Sequence, residues 1–181
     1  MEKGCNLCDE SKLDLGEKTP YGAKVIYKKD GWFATLSPKT GGNPEKDFTV
    51  QLMPMGHLNH ISEISKSLNL AKSYGIAFSK ISKAVTKIME LENRSSENDE
   101  GIIRVGTYGK SKHPEEHFHI KIFPWTGNIG QPYTVDSTFE HSRRYTDKDG
   151  EAFIKMKPVE KMMIKPERMQ YLSDKLISFL K

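Results

Sequence analysis

The sequence contains little cysteine and no long apolar run. Cys5 and Cys8 are the only thiols among 181 residues, which excludes a scaffold held together by several disulfides. No stretch approaches the roughly 20 apolar residues that span a bilayer. The first residues, Met1-Glu2-Lys3-Gly4-Cys5, also lack the apolar core of a signal peptide. These absences predict a cytoplasmic protein with no membrane partner.

Apolar content and charge bias are also modest. Apolar residues make up 36% of the chain and charged residues 29%, which favours one modest core with appendages over two domains. The net charge is +4, and the 28 basic and 24 acidic residues are interspersed rather than gathered into a basic stripe. Composition therefore gives no indication of nucleic acid as a partner.

The segment His-Phe-His-Ile-Lys-Ile-Phe-Pro-Trp, residues 117–125, begins by alternating polar and large apolar side chains. Successive residues of a strand point to opposite faces of the sheet. The alternation therefore predicts a half-buried strand with His117, His119 and Lys121 in a row on one face. The pattern alone is equally typical of an ordinary solvated face, on which Lys121 would be exposed.

The preceding residues predict strands and one long helix. Residues 9–22 are polar and indicate a loop. Two β-prone runs, 23–27 and 32–36, flank Asp30-Gly31, which is typical of a hairpin turn. A third strand over 48–53 is followed by a helix predicted over about residues 63–92. A fourth strand, 102–105, leads into Gly106-Thr107-Tyr108-Gly109 and then a charged turn through Glu116.

The long helix is the clearest periodic element. Ser62 is its predicted N-cap. Gly75 predicts a close contact with a neighbouring element, because glycine costs about 1 kcal/mol relative to alanine inside a helix. The spacing of its apolar residues predicts one buried stripe, formed by Ile64, Leu68, Ala71, Phe78, Ile81, Val85, Ile88 and Leu91.

After residue 125 the sequence changes character. Residues 145–157 indicate a hairpin that turns at Asp147-Lys148-Asp149-Gly150. A last helix is predicted to begin at Pro166, with an apolar stripe of Met169, Leu172, Leu176, Phe179 and Leu180. We interpret residues 1–125 as one domain and residues 126–181 as a C-terminal hairpin and helix extension packed on that domain.

The motif His117-x-His119-x-Lys121, followed by Ile122-Phe123-Pro124, resembles the signature of the histidine triad superfamily. That signature is His-x-His-x-His, then two apolar residues and often a proline. The order of the predicted elements over residues 1–125 is similar to the family as well. The resemblance implies an α+β fold with about five antiparallel strands and one long helix. It also implies a homodimer, and a nucleotide or nucleoside phosphate as the substrate of hydrolysis or nucleotidyl transfer.

The resemblance further implies roles for individual residues. His119 would attack an α-phosphate to give a nucleotidyl-histidine intermediate, chemistry that suits a neutral imidazole near pH 7. Lys121 stands where the family has His or Gln, and we expect it to act beside His119 as a point charge on the phosphate. The remaining substrate-binding positions also differ from the family: Thr35 stands in place of a ribose-binding Asp, Arg104 in place of Asn, and His113 in place of a polar Gln or Ser.

The Cys5-x-x-Cys8 pair indicates a metal or redox pair before a structural disulfide in a reducing compartment. Its place near the N-terminus, rather than between a strand and a helix, favours metal. Zinc-containing members of the resembled family use such a pair with a histidine in the turn before the long helix and the first triad histidine. The resemblance therefore implies an N-terminal zinc knuckle in which Cys5, Cys8, His57 and His117 bind a structural Zn²⁺, a donor set that suits tetrahedral zinc.

Three functions stay open from the sequence. The first is a nucleoside phosphate hydrolase or nucleotidyltransferase that acts through His119. The second is a non-catalytic binding module that keeps the fold and the zinc but has lost the chemistry, which the Lys121, Thr35 and Arg104 substitutions motivate. The third is a zinc-stabilised nucleic-acid protein, against which the dispersed charge argues.

Overall fold

The computed structural model describes residues 4–94, 104–110, 116–125, 139–146, 148–150, 152–158 and 160–181, with the backbone alone for 104–110, 139–145 and 152–158. The elements are the helices α1 (Asn6–Glu10), α2 (Leu68–Leu91) and α3 (Pro166–Leu180), a 3-10 helix (Ile61–Lys66), and the strands β1 (Lys24–Lys29), β2 (Trp32–Leu36), β3 (Lys39–Thr40), β4 (Val50–Pro54), β5 (Arg104–Lys110), β6 (His119–Trp125), β7 (Phe139–Thr146), β8 (Ala152–Pro158) and β9 (Met162–Met163).

The main sheet is antiparallel, and its strands pair in the order β1-β2-β4-β6-β5. The predicted α+β class is confirmed. The predicted hairpin turn also forms: Lys29 pairs with Trp32, and Asp30 and Gly31 between them have φ values of 50° and 83°. Two consecutive positive φ values characterise the tight turn that matches the twist of the two strands.

The fourth strand is longer than predicted. β5 continues through Gly106-Thr107-Tyr108-Gly109, beyond the predicted end of the strand, and pairs with β6 along its whole length. Gly106 lies opposite Phe123, and Gly109 lies opposite Ile120. Glycine weakens a strand because it has no side chain to pack, but it keeps the N–H and C=O groups that form the ladder. Ladder pairing with β6 therefore extends the strand despite its two glycines. The predicted charged turn after it lies largely outside the described residues.

The long helix begins later than predicted, and Ser62 is not its N-cap. Ser67 adopts an extended conformation, with φ −133° and ψ 112°, and its side chain accepts a hydrogen bond from the Leu70 backbone N–H. Ser67 thus separates α2 from the 3-10 helix. His60 caps the 3-10 helix, because its ring accepts from the Ser62 N–H while the Glu63 carboxylate accepts from the His60 N–H.

The predicted apolar stripe of α2 is correct in its middle and wrong at its ends. Ile81, Val85 and Ile88 are fully buried, whereas Leu68 and Leu91 are 68% and 54% exposed. Both exposed leucines lie in the terminal turns of the helix. The buried stripe is therefore confined to the central turns of the helix.

Gly75 has no close neighbour, contrary to the prediction. A Cβ built there meets no atom within 4 Å. Gly75→Ala should therefore raise the free energy of unfolding by about 1 kcal/mol, because alanine loses less backbone entropy and gains no clash. Thermal melting should show an increase of roughly 2–4 °C in Tm.

Gly31→Ala is the matched control for Gly75→Ala. Gly31 has φ 83°, and a Cβ there would lie 3.0 Å from the Leu70 Cδ1, so we expect this variant to melt below the wild type. A Gly75→Ala variant that melts at or below the wild-type Tm would contradict the prediction.

Both faces of the sheet are buried. On one face, residues of the strands pack in a single apolar cluster with α2 and α3; the cluster includes Trp32, Ala34, Leu36, Val50, Leu52, Ile120, Ile122, Ile81, Val85, Ile88, Leu172, Leu176 and Leu180. Phe33, Thr35 and Met53 alternate with these strand residues and are themselves fully buried. The polar side chains that are buried on this second face, Thr35 among them, are therefore shielded from water as well.

The C-terminal residues contribute a hairpin and a docked helix. β7 pairs with β8 from Phe139–Pro158 to Thr146–Ala152, so the hairpin is longer than the predicted 145–157. α3 begins at Pro166, as predicted. Its Arg168 forms a hydrogen-bonded ion pair with Glu92 just after α2, with one contact of 2.9 Å. Apolar packing and this pair together hold α3 against α2.

No helix in the described part of the chain combines the length and the apolar character needed to cross a membrane.

Candidate metal centre

Cys5 and Cys8 lie on one side of a short N-terminal helix. Cys5 is the N-cap of α1, and its carbonyl oxygen accepts a hydrogen bond of 3.2 Å from the Asp9 N–H. Residues three positions apart in a helix are neighbours on its surface. One turn of α1 is therefore sufficient to bring the two thiols together, although the sequence indicated loop from residue 9 onward.

His57 follows the C-terminal end of one strand, and His117 precedes the N-terminal end of the antiparallel strand beside it. His57 lies in the turn after β4, and His117 lies just before β6, which pairs antiparallel with β4. The Phe118 N–H donates a hydrogen bond of 2.7 Å to the Leu58 carbonyl oxygen. This bond continues the pairing beyond the strands and holds the two histidines side by side, with ring centroids 5.0 Å apart.

The four predicted metal ligands form one compact cluster. The His117 Nδ1 lies 3.5 Å from the Sγ atoms of both Cys5 and Cys8. The His57 Nδ1 lies 3.5 Å from the Cys8 Sγ. The four donor atoms all lie within 4.8 Å of one another. This arrangement of two sulfur and two nitrogen donors could hold a metal ion.

The orientation of His117 suits it to be a ligand. Its Nε2–H donates to the Pro54 carbonyl oxygen at 2.9 Å, which leaves the lone pair of Nδ1 directed at the two thiols. Metal-bound histidines are commonly fixed by such a bond from the second ring nitrogen. Burial lowers the pKa of His117, the hydrogen bond to Pro54 opposes this, and charge on His57 and His119 lowers it further. His117 is therefore neutral at pH 7, as metal binding requires.

A backbone carbonyl fixes His119 as well. His119 is 7% exposed, and its Nδ1–H donates to the His117 carbonyl oxygen at 3.2 Å. In this tautomer the Nε2 of His119 carries the lone pair. The ring is thus oriented with its basic nitrogen directed away from the strand backbone.

Lys121 is not a solvated lysine. It is 4% exposed and lies in β6 opposite Gln51 of β4. The alternation correctly places it on the face of His119, but that face is covered, so the expected exposure is wrong. A buried ammonium is costly unless charged or polar groups surround it.

Thr35 shares this face with Lys121. Thr35 lies opposite Gln51, which in turn lies opposite Lys121, and directly opposed residues of an antiparallel pair point to the same side. The Thr35 hydroxyl is buried, with no hydrogen-bond partner among the residues that the structure describes. A hydroxyl in this state could take a polar ligand group.

The other two predicted substrate-binding residues are placed only in part. Arg104 begins β5 opposite Trp125, and its side chain is outside the described part of the structure. His113 lies outside the described residues altogether. Of the predicted pocket residues, the structure places Thr35, His119 and Lys121 on one buried face of the sheet.

Several polar contacts around the centre have no signature in the sequence. The carbonyls of Pro54 and His117 orient the two histidines, and the Ser11 hydroxyl donates to the Cys8 carbonyl at 2.8 Å and lies 3.3 Å from the Met55 carbonyl. Backbone acceptors are present at every residue. Their role therefore depends on the tertiary structure. Only the Ser11 hydroxyl belongs to a side chain, so it alone could have been recognised in the sequence.

Comparisons of the chain with protein-family models, curated proteins and solved structures find no match.

Proposed function

We propose that Cys5, Cys8, His57 and His117 bind a structural Zn²⁺ ion. In tetrahedral zinc sites, Zn–S bonds of about 2.3 Å and Zn–N bonds of about 2.0–2.1 Å put sulfur and nitrogen ligands roughly 3.6 Å apart. The sulfur–nitrogen distances of 3.5 Å around His117 and His57 agree with this value. Four protein ligands leave no open position, which is typical of structural rather than catalytic zinc.

We further propose that the protein is a histidine triad nucleotide hydrolase or nucleotidyltransferase with His119 as its nucleophile. The observation that carries this proposal is the hydrogen bond from the His119 Nδ1–H to the His117 carbonyl oxygen, 3.2 Å long. It supports a nucleophilic role, because it holds the proton on Nδ1 and makes Nε2 the basic nitrogen of the ring.

The reaction then has two displacements at one phosphorus atom. The Nε2 lone pair of His119 forms a bond to the α-phosphorus as the bond to the leaving group breaks, and the leaving group takes that electron pair. Water or an acceptor hydroxyl next attacks the same phosphorus, the phosphorus–nitrogen bond breaks, and its electron pair returns to Nε2 and restores the imidazole. The proton that the attacking group loses balances the proton that the leaving group takes up. Lys121 contributes positive charge to the phosphoryl oxygens, and the buried Thr35 hydroxyl supports a polar contact to the substrate.

The zinc and the catalytic group act through different atoms of His117. Its ring contacts the cysteines, whereas its carbonyl oxygen accepts from His119. Zinc binding would therefore fix the start of β6 and so the position of the His119 ring. The metal takes no part in the displacement itself.

Trapping the intermediate tests the proposed chemistry. The zinc-loaded protein would be incubated with adenosine and guanosine phosphoramidates, dinucleoside polyphosphates and sugar nucleotides, quenched in base, and mapped by mass spectrometry. We expect a nucleotidyl adduct on His119 with at least one of these substrates. No adduct and no turnover with any of them would overturn the enzyme proposal.

Lys121→Met should lower turnover by roughly 100-fold. The substitution keeps the length of the side chain but removes the charge facing the phosphoryl oxygens, a loss comparable to that of one electrostatic contact to a transition state. Steady-state kinetics on the substrate found by trapping would measure the effect.

Lys72→Met is the matched control for Lys121→Met, since Lys72 is exposed on α2. The control variant should retain wild-type turnover. If the Lys121 variant does so too, Lys121 has no role in the reaction.

A non-catalytic binding module is the second candidate function. It is favoured by Lys121 itself, a buried ammonium at the position where the resembled family has His or Gln. This function predicts no adduct on His119 and weak or no binding of nucleotides. A nucleotide-induced rise of several degrees in Tm would count against it.

A further inference from the structure

A cleft of about 290 Å³ lies between α1 and the turn at Pro20 and Tyr21. None of its lining residues belongs to the metal cluster or to the His119 site, so the functions proposed above do not use it. The lining is formed by Asn6, Asp9, Glu10, Leu13, Pro20 and Tyr21.

The cleft contains a buried carboxylate without a countercharge. Glu10 is 5% exposed and lines the cleft. Lys12 pairs with Asp9, another lining residue, at 2.6 Å, and Lys28 lies 3.8 Å from Asp14. No basic side chain in the described part of the chain forms an ion pair with Glu10.

The walls of the cleft are suited to an apolar stem next to a cation. Leu13 and Pro20 are apolar, and Tyr21 presents a ring that is 63% exposed. The Asn6 Nδ2 donates to the Tyr21 hydroxyl at 2.5 Å and so links the ring to α1. Aromatic faces attract cations, and the attraction grows when the cation is partly desolvated.

We propose that this cleft binds an alkylammonium or guanidinium group on a short apolar stem, with the cation against Glu10 and the stem against Leu13, Pro20 and Tyr21. The burial of a carboxylate that lacks a charged partner is costly, and a ligand cation compensates it. The acidic side chains exclude anions, and the limited volume excludes large ligands. This site is independent of the chemistry proposed for His119.

Calorimetric titration of the zinc-loaded full chain tests the site. The probes are n-butylammonium, n-butylguanidinium and the neutral isostere n-butanol. We expect at least one cation to bind with a Kd of about 1 mM, which corresponds to about 4 kcal/mol, and n-butanol to bind at least tenfold more weakly. If neither cation binds, or if n-butanol binds as tightly as the cations, the proposal is wrong.

Two substitutions test whether the cations bind next to Glu10. Glu10→Gln keeps the shape of the side chain and should weaken binding of the cation at least tenfold. Asp14→Asn is the matched control, because Asp14 is exposed and lies outside the cleft, and it should bind as the wild type does. Unchanged affinity in the Glu10 variant would overturn the site.

Tyr21→Leu provides a second test that does not disturb the buried carboxylate. Tyr21 lies in an exposed turn, so the variant should fold, and loss of the cation–ring contact should weaken binding by at least threefold. Wild-type affinity in this variant would contradict the proposed pose.

Nα-acetyl-lysine amide distinguishes two sources of the same cation. Binding as tight as that of n-butylammonium would support a site that accepts the side chain of a peptide. Tenfold weaker binding, with n-butylammonium still bound, would support a site for free amines.

Discussion

Removal of the metal, or the substitution Cys8→Ser, should lower the Tm by roughly 8–16 °C. A ligand that is present at about 1,000 times its Kd and binds only the folded state contributes about 4 kcal/mol. Each kcal/mol changes the Tm of a chain of this size by roughly 2–4 °C. Cys8 is 1% exposed and lies within 3.5 Å of both histidine rings, so its replacement leaves no substitute ligand in place.

The measurement is a melting curve with and without chelator, together with metal analysis of the purified protein. The wild type should contain one zinc per chain, lose stability with chelator and regain it when zinc is added. The Cys8 variant should contain no zinc and melt at the same temperature with or without chelator. No bound zinc in the wild type, or a melting curve that chelation leaves unchanged, would rule out the zinc site.

The pair His57→Asn and His60→Asn discriminates between the two histidines of the same turn. His57 lies in the cluster, whereas His60 is exposed and caps the 3-10 helix, a role that asparagine can fill. Only the His57 variant should lose zinc. Loss of zinc from the His60 variant alone would mean that the ligand set is misassigned.

His119→Ala should lower turnover by about 1,000-fold or more while the zinc content stays at the wild-type value. The reason is that alanine offers no lone pair to the phosphorus, so the covalent route is closed and only substrate positioning remains. The measurements are single-turnover kinetics with the substrate identified by trapping, and the fraction of protein that carries the adduct.

Two controls separate loss of the nucleophile in His119→Ala from damage to the fold. His60→Asn should retain full turnover, and the His119 variant should melt cooperatively and bind zinc. An active His119→Ala enzyme, with more than a tenth of wild-type turnover, would show that the nucleophile is another group.

Local residue chemistry was sufficient to predict much of the fold. Asp30-Gly31 specifies its turn because both residues tolerate positive φ, and the observed φ values of 50° and 83° agree. The Cys-x-x-Cys pair with nearby histidines indicated a metal by residue chemistry, and the resemblance to the histidine triad family selected the four members of the cluster. These features depend on rare residue types with narrow preferences.

The errors share one physical cause: the tertiary environment of a residue depends on segments that are distant in the sequence. Ser62 and Ser67 are equally plausible caps by residue type, and the extended conformation of Ser67 makes it the cap. Gly75 was expected to be packed and is open. Alternation correctly predicted which side Lys121 points to, but alternation cannot reveal that this side is buried as well.

His117 makes three bonds that serve three different purposes. Its Nδ1 faces the thiols, its Nε2–H anchors to Pro54, and its carbonyl oxygen holds the His119 ring. Occupancy of the metal site and orientation of the His119 ring would thus be coupled through His117, whose ring and carbonyl oxygen are only a few covalent bonds apart. Loss of the metal would therefore be felt first at the start of β6, where His117 and His119 adjoin.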